Sequence, residues 1–590
     1  MPSMHTVSRP PLAGDWGARR PDGYDVVVIG SGYGGAITAA RLATAQWPAG
    51  RPSICLLERG REWRPGEFPD NLRAGGRAVF EQHLNPLGLF RFHLGADIVP
   101  IMGSGLGGTS LINANVAIEP DADLFDDTHW PGAIRDQRDA GELARYYQRV
   151  RFTLNAGLHP EGNDQSKVKA MQKGAQGDPD AQAFLLPIAV NFQPDGPNRW
   201  QVEQRKCINC GDCVTGCNVG AKNTLDTNYL AIARFGAAEL YTHVEVRHIE
   251  RAPGGGYDVH YLRHDGSPGA PTAGTLHARR AVVVSAGSVG STEIMLRSRV
   301  RGLSLPDAVG TRFSGNGDFF GLAYNGDQRT DALGWGAYPN SRRARRVQPG
   351  PGRLLHPGPS IVSAVRYNGN QPPAGRVTVE DLSFPLTYVD AARAAFAVIG
   401  GRDTDPNDPL DNLREFGRRA RDFAAIDPAL EAGALNHTLL YLVMGIDDSG
   451  GTIDLDPVTG SARIRWPGAG DQDVFRLESS LIERHAEGLG SSFVENPLWG
   501  FSPWRTLATA HPLGGCPMGE THAGGVVNHL GQVFDEHGGL HDGLYITDGS
   551  IVPTAIGVNP FLTISALSER VAEGVIAALG GVPVVVDSIP

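Results

Sequence analysis

Residues 25–43 read DVVVIGSGYGGAITAARLA, and the architecture of this 590-residue chain follows from them. The run Asp25–Ile29 is short, apolar and β-branched, which is typical of a parallel strand buried on both faces. Gly30, Gly32 and Gly35 then match GxGxxG, where the glycines permit a tight turn, admit a pyrophosphate and let the helix pack on the strand. The stretch predicts a strand–turn–helix unit that binds a dinucleotide.

An acidic residue follows this motif at the spacing that a ribose requires. A second apolar strand, Ser53–Leu57, ends at Glu58, 23 residues after Gly35. In dinucleotide-binding units a carboxylate about 20 residues beyond the glycines accepts a hydrogen bond from a ribose hydroxyl. A lone GxGxxG would carry little weight in a chain with 77 glycines, but the strand, the helix and Glu58 together predict a dinucleotide site.

Composition places the chain among ordinary globular proteins with more than one domain. Hydrophobic residues make up 41% and charged residues 20%, and 590 residues exceed what a single core supports. The net charge of −11 argues against a nucleic-acid partner, because phosphate binding requires a basic surface. The most basic run is interpreted as a solvated loop and contains Arg342, Arg343, Arg345 and Arg346.

No targeting or membrane segment is predicted. The sequence has no apolar run of about 18 residues, which a transmembrane helix would need. Residues 1–23 lack the apolar core of a secretory signal. The sequence therefore favours a cytoplasmic protein.

Four of the six cysteines fall within eleven positions: Cys207, Cys210, Cys213 and Cys217. Their spacing, CxxCxxCxxxC, is that of the ferredoxin-type run around an iron–sulfur cluster, although Asn218 stands where that run has proline. Three interpretations stay open: an iron–sulfur cluster of the 4Fe-4S or 3Fe-4S type, a disulfide or structural knot, and a tetrahedral zinc site. A reducing cytoplasm argues against the disulfide.

Two later stretches also place small residues in a turn, as the first glycine motif does. Residues 102–120 are glycine-rich and predict a second close approach of backbone to the cofactor. Residues 280–297 repeat the order of buried strand, small turn and helix, as expected where a cofactor domain resumes. The residues predicted to approach the cofactor here are Gly103, Gly107, Gly108, Asn113, Ala286 and Gly287.

The C-terminal part holds the candidate chemistry. His511 lies in AHPLGGCPMG (510–519), and histidine is the side chain that exchanges protons near neutral pH. In residues 543–566 a strand ends at Asp548-Gly549, and a helix begins at Asn559-Pro560. Proline just inside a helix start leaves free N–H groups whose positive end suits a reduced, anionic cofactor ring. An asparagine amide such as that of Asn559 can orient a substrate hydroxyl, and Asp548 is expected to hydrogen-bond the cofactor.

Four of these stretches, residues 25–58, 103–113, 511–515 (HPLGG) and 557–561 (GVNPF), together resemble the glucose–methanol–choline (GMC) flavoprotein oxidoreductases, and most of all their cholesterol oxidase branch. The resemblance implies bound FAD with Glu58 on the adenosine ribose. It also implies oxidation of an alcohol, with His511 at the hydroxyl, Asn559 beside it, and hydride moving from the carbinol carbon to flavin N5. Residues 377–389 offer Glu380 and Asp381 but no clear equivalent of the substrate-side glutamate of that branch, so sterol isomerisation is not expected.

Pattern and resemblance together predict an α/β fold with a Rossmann-type FAD-binding domain and an antiparallel-sheet substrate domain. The FAD-binding domain is expected in residues 1–324, with a lid-like excursion at 60–100 and a cysteine-rich insertion at 200–222. Within it, residues 244–251 and 257–262 are predicted as paired strands and residues 316–318 as a turn. The substrate domain is expected in residues 325–500, with alternating strands that include residues 452–455 and 462–465 and an apolar helix near 390–399. Residues 501–590 return to the FAD-binding domain.

The electron acceptor and the substrate stay open at this point. With an iron–sulfur cluster, the flavoprotein would pass single electrons to an acceptor protein as a dehydrogenase, with a substrate that could be sterol-like. Without a cluster, it would be an oxygen-reducing oxidase of a sugar or small alcohol. A third alternative is a flavoprotein that carries electrons and oxidises no alcohol, against which His511 and Asn559 argue.

Overall fold

The computed structural model of the protein describes residues 9–81, 84–264, 270–337, 356–389, 403–404, 411–424, 433–500, 503 and 505–584. The arginine run at 342–346 and the helix expected near 390–399 lie outside these residues. Within the described part of the chain, no helix combines the length and apolar character needed to cross a bilayer.

The strands, in chain order, are β1 (Tyr24–Ile29), β2 (Ile54–Leu57), β3 (Phe90–Phe92), β4 (Ile98–Gly103), β5 (Ala181–Leu185), β6 (Gly196–Pro197), β7 (Glu203–Gln204), β8 (Glu239–Tyr241), β9 (Val244–Arg251), β10 (Tyr257–Arg263), β11 (Thr272–Val284), β12 (Phe319–Tyr324), β13 (Ser363–Tyr367), β14 (Val377–Leu382), β15 (Leu439–Met444), β16 (Thr452–Leu455), β17 (Ala462–Arg465), β18 (Ser492–Glu495), β19 (Leu507–Thr509), β20 (Gln532–Phe534) and β21 (Leu540–Ile546). The α-helices are α1 (Tyr33–Thr44), α2 (Leu72–Arg77), α3 (Gly132–Asp139), α4 (Glu142–Thr153), α5 (Ser166–Gly174), α6 (Tyr229–Phe235), α7 (Gly287–Val300), α8 (Asp411–Ala424), α9 (Asp473–Gly488), α10 (Pro497–Gly500) and α11 (Phe561–Ala578).

A mostly parallel sheet carries the glycine motif. Its strands run in the order β20-β21-β11-β1-β2-β8, and β10 and β9 extend β11 as an antiparallel pair. Strand β1 pairs in parallel with both β2 and β11. Val26, Val27 and Val28 are fully buried, as a central parallel strand covered on both faces requires. The Rossmann-type strand, turn and helix predicted at residues 25–43 are confirmed.

A buried ion pair joins the first helix to the last. Nε and Nη2 of Arg41 on α1 each donate to the carboxylate of Glu569 on α11, at 2.7 Å. The Arg41 side chain is 4% exposed and that of Glu569 is 0% exposed. The hydroxyl of Tyr229 on α6 donates to the same carboxylate at 2.7 Å. Three segments far apart in sequence are thereby held in one layer beside the sheet.

A second, antiparallel sheet has the strand order β18-β12-β15-β14-β13-β5. Strands β13, β14, β15 and β18 come from the predicted substrate segment, but β5 and β12 come from outside residues 325–500. Strands β16 and β17 form at the positions predicted for them. They make a separate two-stranded sheet packed against α7, and so they are not part of the larger sheet.

Residues 60–100 contain more regular structure than a lid-like excursion predicts. Helix α2, strand β3 and the start of β4 lie within them. Strand β4 pairs with β3 and also, in parallel, with β19, where Ile98, Val99 and Pro100 lie opposite Leu507, Ala508 and Thr509. The excursion is therefore hydrogen-bonded to the strand that leads into His511.

Candidate active site

A cavity of about 140 Å³ opens where β1, β2 and β11 end. The predicted cofactor residues that line it are Gly30, Gly32, Glu58, Gly103, Gly108, Ala286 and Gly287. Four separate stretches of the sequence thus meet at one edge of the parallel sheet, which is where open α/β sheets bind their ligands.

The glycines of the motif differ in what surrounds them. At Gly30, with φ of +92°, a Cβ would lie 2.2 Å from the carbonyl oxygen of Ser285. At Gly35 a Cβ would lie 2.0 Å from the carbonyl oxygen of Gly30, because α1 packs directly on the turn. At Gly32 nothing lies within 4 Å of a Cβ. The first and third glycines are required by packing, and the second faces the open space where a pyrophosphate would lie.

Glu58 is tied to the glycine turn. Its Oε2 accepts hydrogen bonds from the backbone N–H (3.2 Å) and the hydroxyl (2.6 Å) of Ser31, and its Oε1 accepts from the N–H of Gly60 at 2.7 Å. The N–H of Gly107 donates to the Ser31 hydroxyl at 3.0 Å, so Gly107 supports this network and does not line the cavity.

The cavity wall also suits the anionic part of a dinucleotide. Arg59 and Arg91 both line it, and Nε of Arg59 is buried without a hydrogen-bond partner among the described residues. Burial, with Arg91 beside it, lowers the pKa of Arg59 to about 10, so the guanidinium is charged at neutral pH. A guanidinium whose Nε is buried without a partner among the described residues, beside a glycine cradle, fits the pyrophosphate of FAD.

Asp548 does not line the cavity. Its Oδ2 accepts from the N–H of Gly287 at 2.7 Å and from the hydroxyl of Ser291, and its Oδ1 accepts from Ser550. These contacts hold the turn before α7, and Gly549 begins the short helical turn that follows. That Asp548 hydrogen-bonds the cofactor stays a prediction, and its contacts within the protein hold the turn at Gly287, which lines the cavity.

Asn113 and Pro560 lie near Tyr33, the first residue of α1. The Asn113 amide donates to the Tyr33 hydroxyl at 2.7 Å, and its Oδ1 is buried without a hydrogen-bond partner in the described structure. The Tyr33 ring stacks on Phe561 with centroids 4.9 Å apart. Since Phe561 follows Pro560 directly, the start of α11 lies against the first residue of α1, and the two ends of the chain meet here.

His511 is oriented by a buried carboxylate. Its Nδ1 lies 2.7 Å from Oδ1 of Asp318, whose side chain is fully buried while that of His511 is 14% exposed. The second oxygen of Asp318 accepts from the hydroxyl of Thr509 and the N–H of Ala510. The imidazole is therefore held in one orientation through its Nδ1.

One turn holds both candidate catalytic residues. Residues 316–318 were predicted as a turn from composition alone, and Asn316 and Gly317 have φ of 60° and 62°. Asn316 accepts from the N–H groups of Ile556 and Gly557 and donates to the carbonyl of Val558 at 2.9 Å. Asp318, two residues further, holds His511. The turn thus fixes the His511 loop relative to the segment that ends at Asn559.

Asn559 contacts a carboxyl group on β14 that the sequence interpretation did not assign to the site. Its Nδ2 donates to Oε2 of Glu380 at 3.1 Å. Glu380 lies on β14 and is fully buried, and this burial raises its pKa well above the ordinary value. Oε1 of Glu380 and Oδ1 of Asn559 are both buried without partners among the described residues. Two polar atoms are left for a ligand. The sequence alone shows Glu380 as one of two neighbouring acidic residues, with Asp381, and does not indicate its contact with Asn559.

The four clustered cysteines line one small, mostly apolar cavity. All six cysteines of the chain are free thiols, so the disulfide alternative is not realised. In the described structure no three of the clustered sulfurs lie within 4.8 Å of one another. A single zinc ion with Zn–S bonds of about 2.3 Å would draw its sulfurs to about 3.8 Å, which these positions do not match.

The cysteine loop is connected to the glycine-rich loop and to the excursion. The ammonium of Lys222, which lines the cysteine cavity, donates to the carbonyls of Asn113 (2.6 Å) and Cys213 (3.1 Å). Asn218, in the place of the ferredoxin proline, accepts from the N–H groups of Gly66 and Phe68 at 2.9 Å. The asparagine therefore fastens the excursion to the cysteine loop, which a proline could not do.

The parallel sheet and its glycine cradle define a dinucleotide-binding protein of the Rossmann class. Family models described as GMC oxidoreductase match residues 24–314 and 484–568. The chain belongs to the GMC oxidoreductase family and is an FAD-dependent alcohol oxidoreductase.

Individual relatives agree with this assignment. The chain is 28% identical over 585 residues to a cholesterol oxidase of Mycobacterium tuberculosis, covering 94% of this chain and 91% of the relative. It is 21% identical to a long-chain-alcohol oxidase of Arabidopsis thaliana, covering 94% and 67%. Among solved structures, an FAD-dependent oxidoreductase from Chaetomium thermophilum matches with a TM-score of 0.56 at 16% identity, covering 95% of this chain and all of that one.

Proposed function

We propose that this enzyme oxidises the carbinol carbon of an apolar, sterol-like alcohol, with His511 as the proton acceptor and Asn559 as the residue that positions the hydroxyl. The observation that carries the proposal is the turn at 316–318, which binds His511 through Asp318 and the Asn559 segment through Asn316. A proton acceptor and an amide are thereby fixed beside the start of α11, which packs on the cofactor helix α1.

The residues act by position and charge. Asp318 holds Nδ1–H of His511, so Nε2 presents a lone pair and takes the hydroxyl proton. The Asp318 carboxylate stabilises the imidazolium that results. Bound FAD supplies the hydride acceptor for the carbinol carbon. Oδ1 of Asn559 and Oε1 of Glu380 have no hydrogen-bond partner among the described residues, and these two atoms are left to contact the substrate.

The two sheets are assigned different functions, cofactor binding and substrate contact. We assign FAD binding to residues 1–324 and 501–590 and substrate contact mainly to residues 325–500. Glu380 on β14 reaches Asn559 before α11, and this contact supports a site between the two parts. An apolar substrate is favoured because the relatives named above are oxidases of cholesterol and of long-chain alcohols. No disulfide joins any of the six cysteines, which is compatible with a reducing compartment, and we place the enzyme in the cytoplasm.

Substrate class can be tested by flavin bleaching. Anaerobic mixing of the FAD-loaded enzyme with cholesterol or a long-chain primary alcohol is expected to reduce the flavin at least about tenfold faster than glucose does, because each buried methylene adds transition-state binding. Stopped-flow absorbance measures both rates. Equal rates with glucose would contradict the apolar substrate class. Reduction by dithionite but by no alcohol would overturn the oxidation proposal itself.

We further propose that the cysteine cavity holds an iron–sulfur cluster of the 4Fe-4S or 3Fe-4S type, which passes electrons from the flavin to an external acceptor protein. Burial and the neighbouring thiols raise the pKa of Cys207 and Cys210, so thiolates there need a positively charged partner. In a cluster each thiolate binds a different iron, which suits sulfurs spaced more widely than around one ion. Lys222 gives the cluster a contact path to Asn113 and hence to Tyr33 beside the cofactor cavity.

Iron and acid-labile sulfide analysis tests the cluster. Anaerobically purified protein is expected to hold about three or four iron atoms per chain, and Cys213→Ser is expected to remove most of them. The matched control is Cys516→Ala, which changes a buried cysteine outside the run. Iron-free protein with full FAD content, or equal iron in Cys213→Ser and the control, would contradict the cluster and leave oxygen as the simplest acceptor.

A further inference from the structure

Two histidines and a glutamate converge on the outer face of the β9–β10 hairpin. His248 and Glu250 lie on β9, and His260 lies on β10. One ligand atom from each side chain lies within 4.8 Å of the other two, and no other three such side chains converge this closely in the described structure. This triad does not line the cavities of the cofactor or of the cysteine run.

The strand register produces this arrangement. His260 lies directly opposite His248, and their rings stack with centroids 4.3 Å apart and planes 10° from parallel. Glu250 lies two residues beyond His248, on the same face of the strand. Its two oxygens lie 3.1 Å from Nε2 of His248 and 3.7 Å from Nε2 of His260. The carboxylate therefore faces both imidazoles at once.

A neighbouring strand orients one of the ligands. Nδ1 of His260 lies 3.1 Å from the hydroxyl of Thr275 on β11. With that hydroxyl accepting from Nδ1–H, the lone pair of His260 is on Nε2. Nε2 is buried and has no hydrogen-bond partner among the described residues. A buried nitrogen without a partner, in an imidazole held by a hydroxyl on its other side, is the arrangement that metal-ligating histidines show.

We propose that His248, Glu250 and His260 bind a divalent ion of the zinc class, with Thr275 as the residue that positions His260. Bonds of about 2.0–2.1 Å to nitrogen and oxygen require ligand atoms about 3.3 Å apart. Glu250 is near this spacing from both imidazoles, through Oε1 for His248 (3.1 Å) and through Oε2 for His260 (3.7 Å). Two imidazoles and one carboxylate suit zinc, nickel or copper better than the hard ions magnesium and calcium. Water completes the coordination on the solvent side.

The site would brace the wall of the cofactor cavity. Val244, Glu245 and Val246 on the same strand line that cavity, and His248 lies two residues further. A metal that joins β9 to β10 at His248 and His260 holds the register of this strand pair next to a β-bulge at His260/Tyr261.

Zinc titration of tag-free, EDTA-treated FAD holoenzyme tests the site. Calorimetry is expected to show one equivalent bound that is lost in His248→Ala and weakened about 10- to 100-fold in Thr275→Val. Two matched controls are expected to keep it: His277→Ala, on the same face of the adjoining strand, and Cys213→Ser, in the cysteine run. Zinc is also expected to raise the Tm of wild-type protein but not of His248→Ala.

Three results would overturn the proposal: no zinc uptake at this stoichiometry, uptake that persists unchanged in His248→Ala, or uptake lost in Cys213→Ser instead. If His248→Ala does not yield folded, FAD-loaded protein, His260→Ala removes a different proposed ligand and gives the same test. Cobalt substitution adds a spectroscopic check, because the proposed nitrogen and oxygen ligands give no thiolate charge-transfer band.

Discussion

Replacing His511 by alanine is expected to slow anaerobic reduction of the flavin by an alcohol about 10²-fold or more, as measured by stopped-flow absorbance. Without the imidazole the hydroxyl proton has no acceptor, so positive charge builds up on the substrate as hydride leaves. FAD content is expected to stay at the wild-type level, because His511 does not line the cavity built by the glycine turn.

Two further variants separate chemistry from folding. His537→Ala removes a histidine whose side chain is 84% exposed, and its rate is expected to equal the wild-type rate. Asp318→Asn is expected to lose a large part of the rate, because an amide can donate to Nδ1 and so favours the tautomer with the proton on Nε2. The loss of rate in Asp318→Asn is expected to change with pH in a different way from the loss of rate in His511→Ala. A wild-type rate in FAD-loaded His511→Ala would remove this residue from the mechanism.

Replacing Glu569 by alanine is expected to destabilise the protein by about 3–5 kcal/mol, because it leaves the buried guanidinium of Arg41 without its carboxylate. Arg149 and Tyr229 also lose a partner, since both contact Glu569. Urea-induced unfolding, followed by FAD release and by circular dichroism, measures the shift.

The control for this prediction is an ion pair on the surface. Arg419 and Glu415 on α8 are 76% and 41% exposed, and Glu415→Ala is expected to change the stability by about 0.5 kcal/mol or less. A loss in Glu569→Ala as small as that in Glu415→Ala would contradict the claim that the Arg41–Glu569 contact joins the first and last helices.

Local patterns predicted individual strands well and their partners poorly. The apolar run at residues 25–29 and the alternating runs of β9, β10, β16 and β17 all form strands within one or two residues of the expected ends. The sheet to which a strand belongs depends on pairing across hundreds of residues. Nothing in Ala181–Leu185 indicates that it pairs with Ser363–Tyr367. The separate β16–β17 sheet was missed for the same reason.

In the candidate site, too, local features could be predicted from the sequence and long-range contacts could not. Motif residues with a local geometric reason, such as Gly30 and Gly35, lie where the pattern predicts. Asp318 was interpreted only as part of a turn, because its partner His511 lies 193 residues away. Glu380 and Asn559 are 179 residues apart. A buried carboxyl acquires its role from such a partner, and the partner cannot be found from spacing.

The pairing of β4 with β19 has a consequence for engineering substrate preference. Surface segments such as residues 60–100 are natural targets for exchange between homologous enzymes. Here the last residues of that segment, Ile98–Pro100, set the position of the strand that ends two residues before His511. A chimera that exchanges residues 60–97 and keeps 98–103 would preserve the position of His511. A chimera that shifts the β4 register by one residue would move the His511 imidazole out of position. Its sequence would still contain both His511 and Asn559.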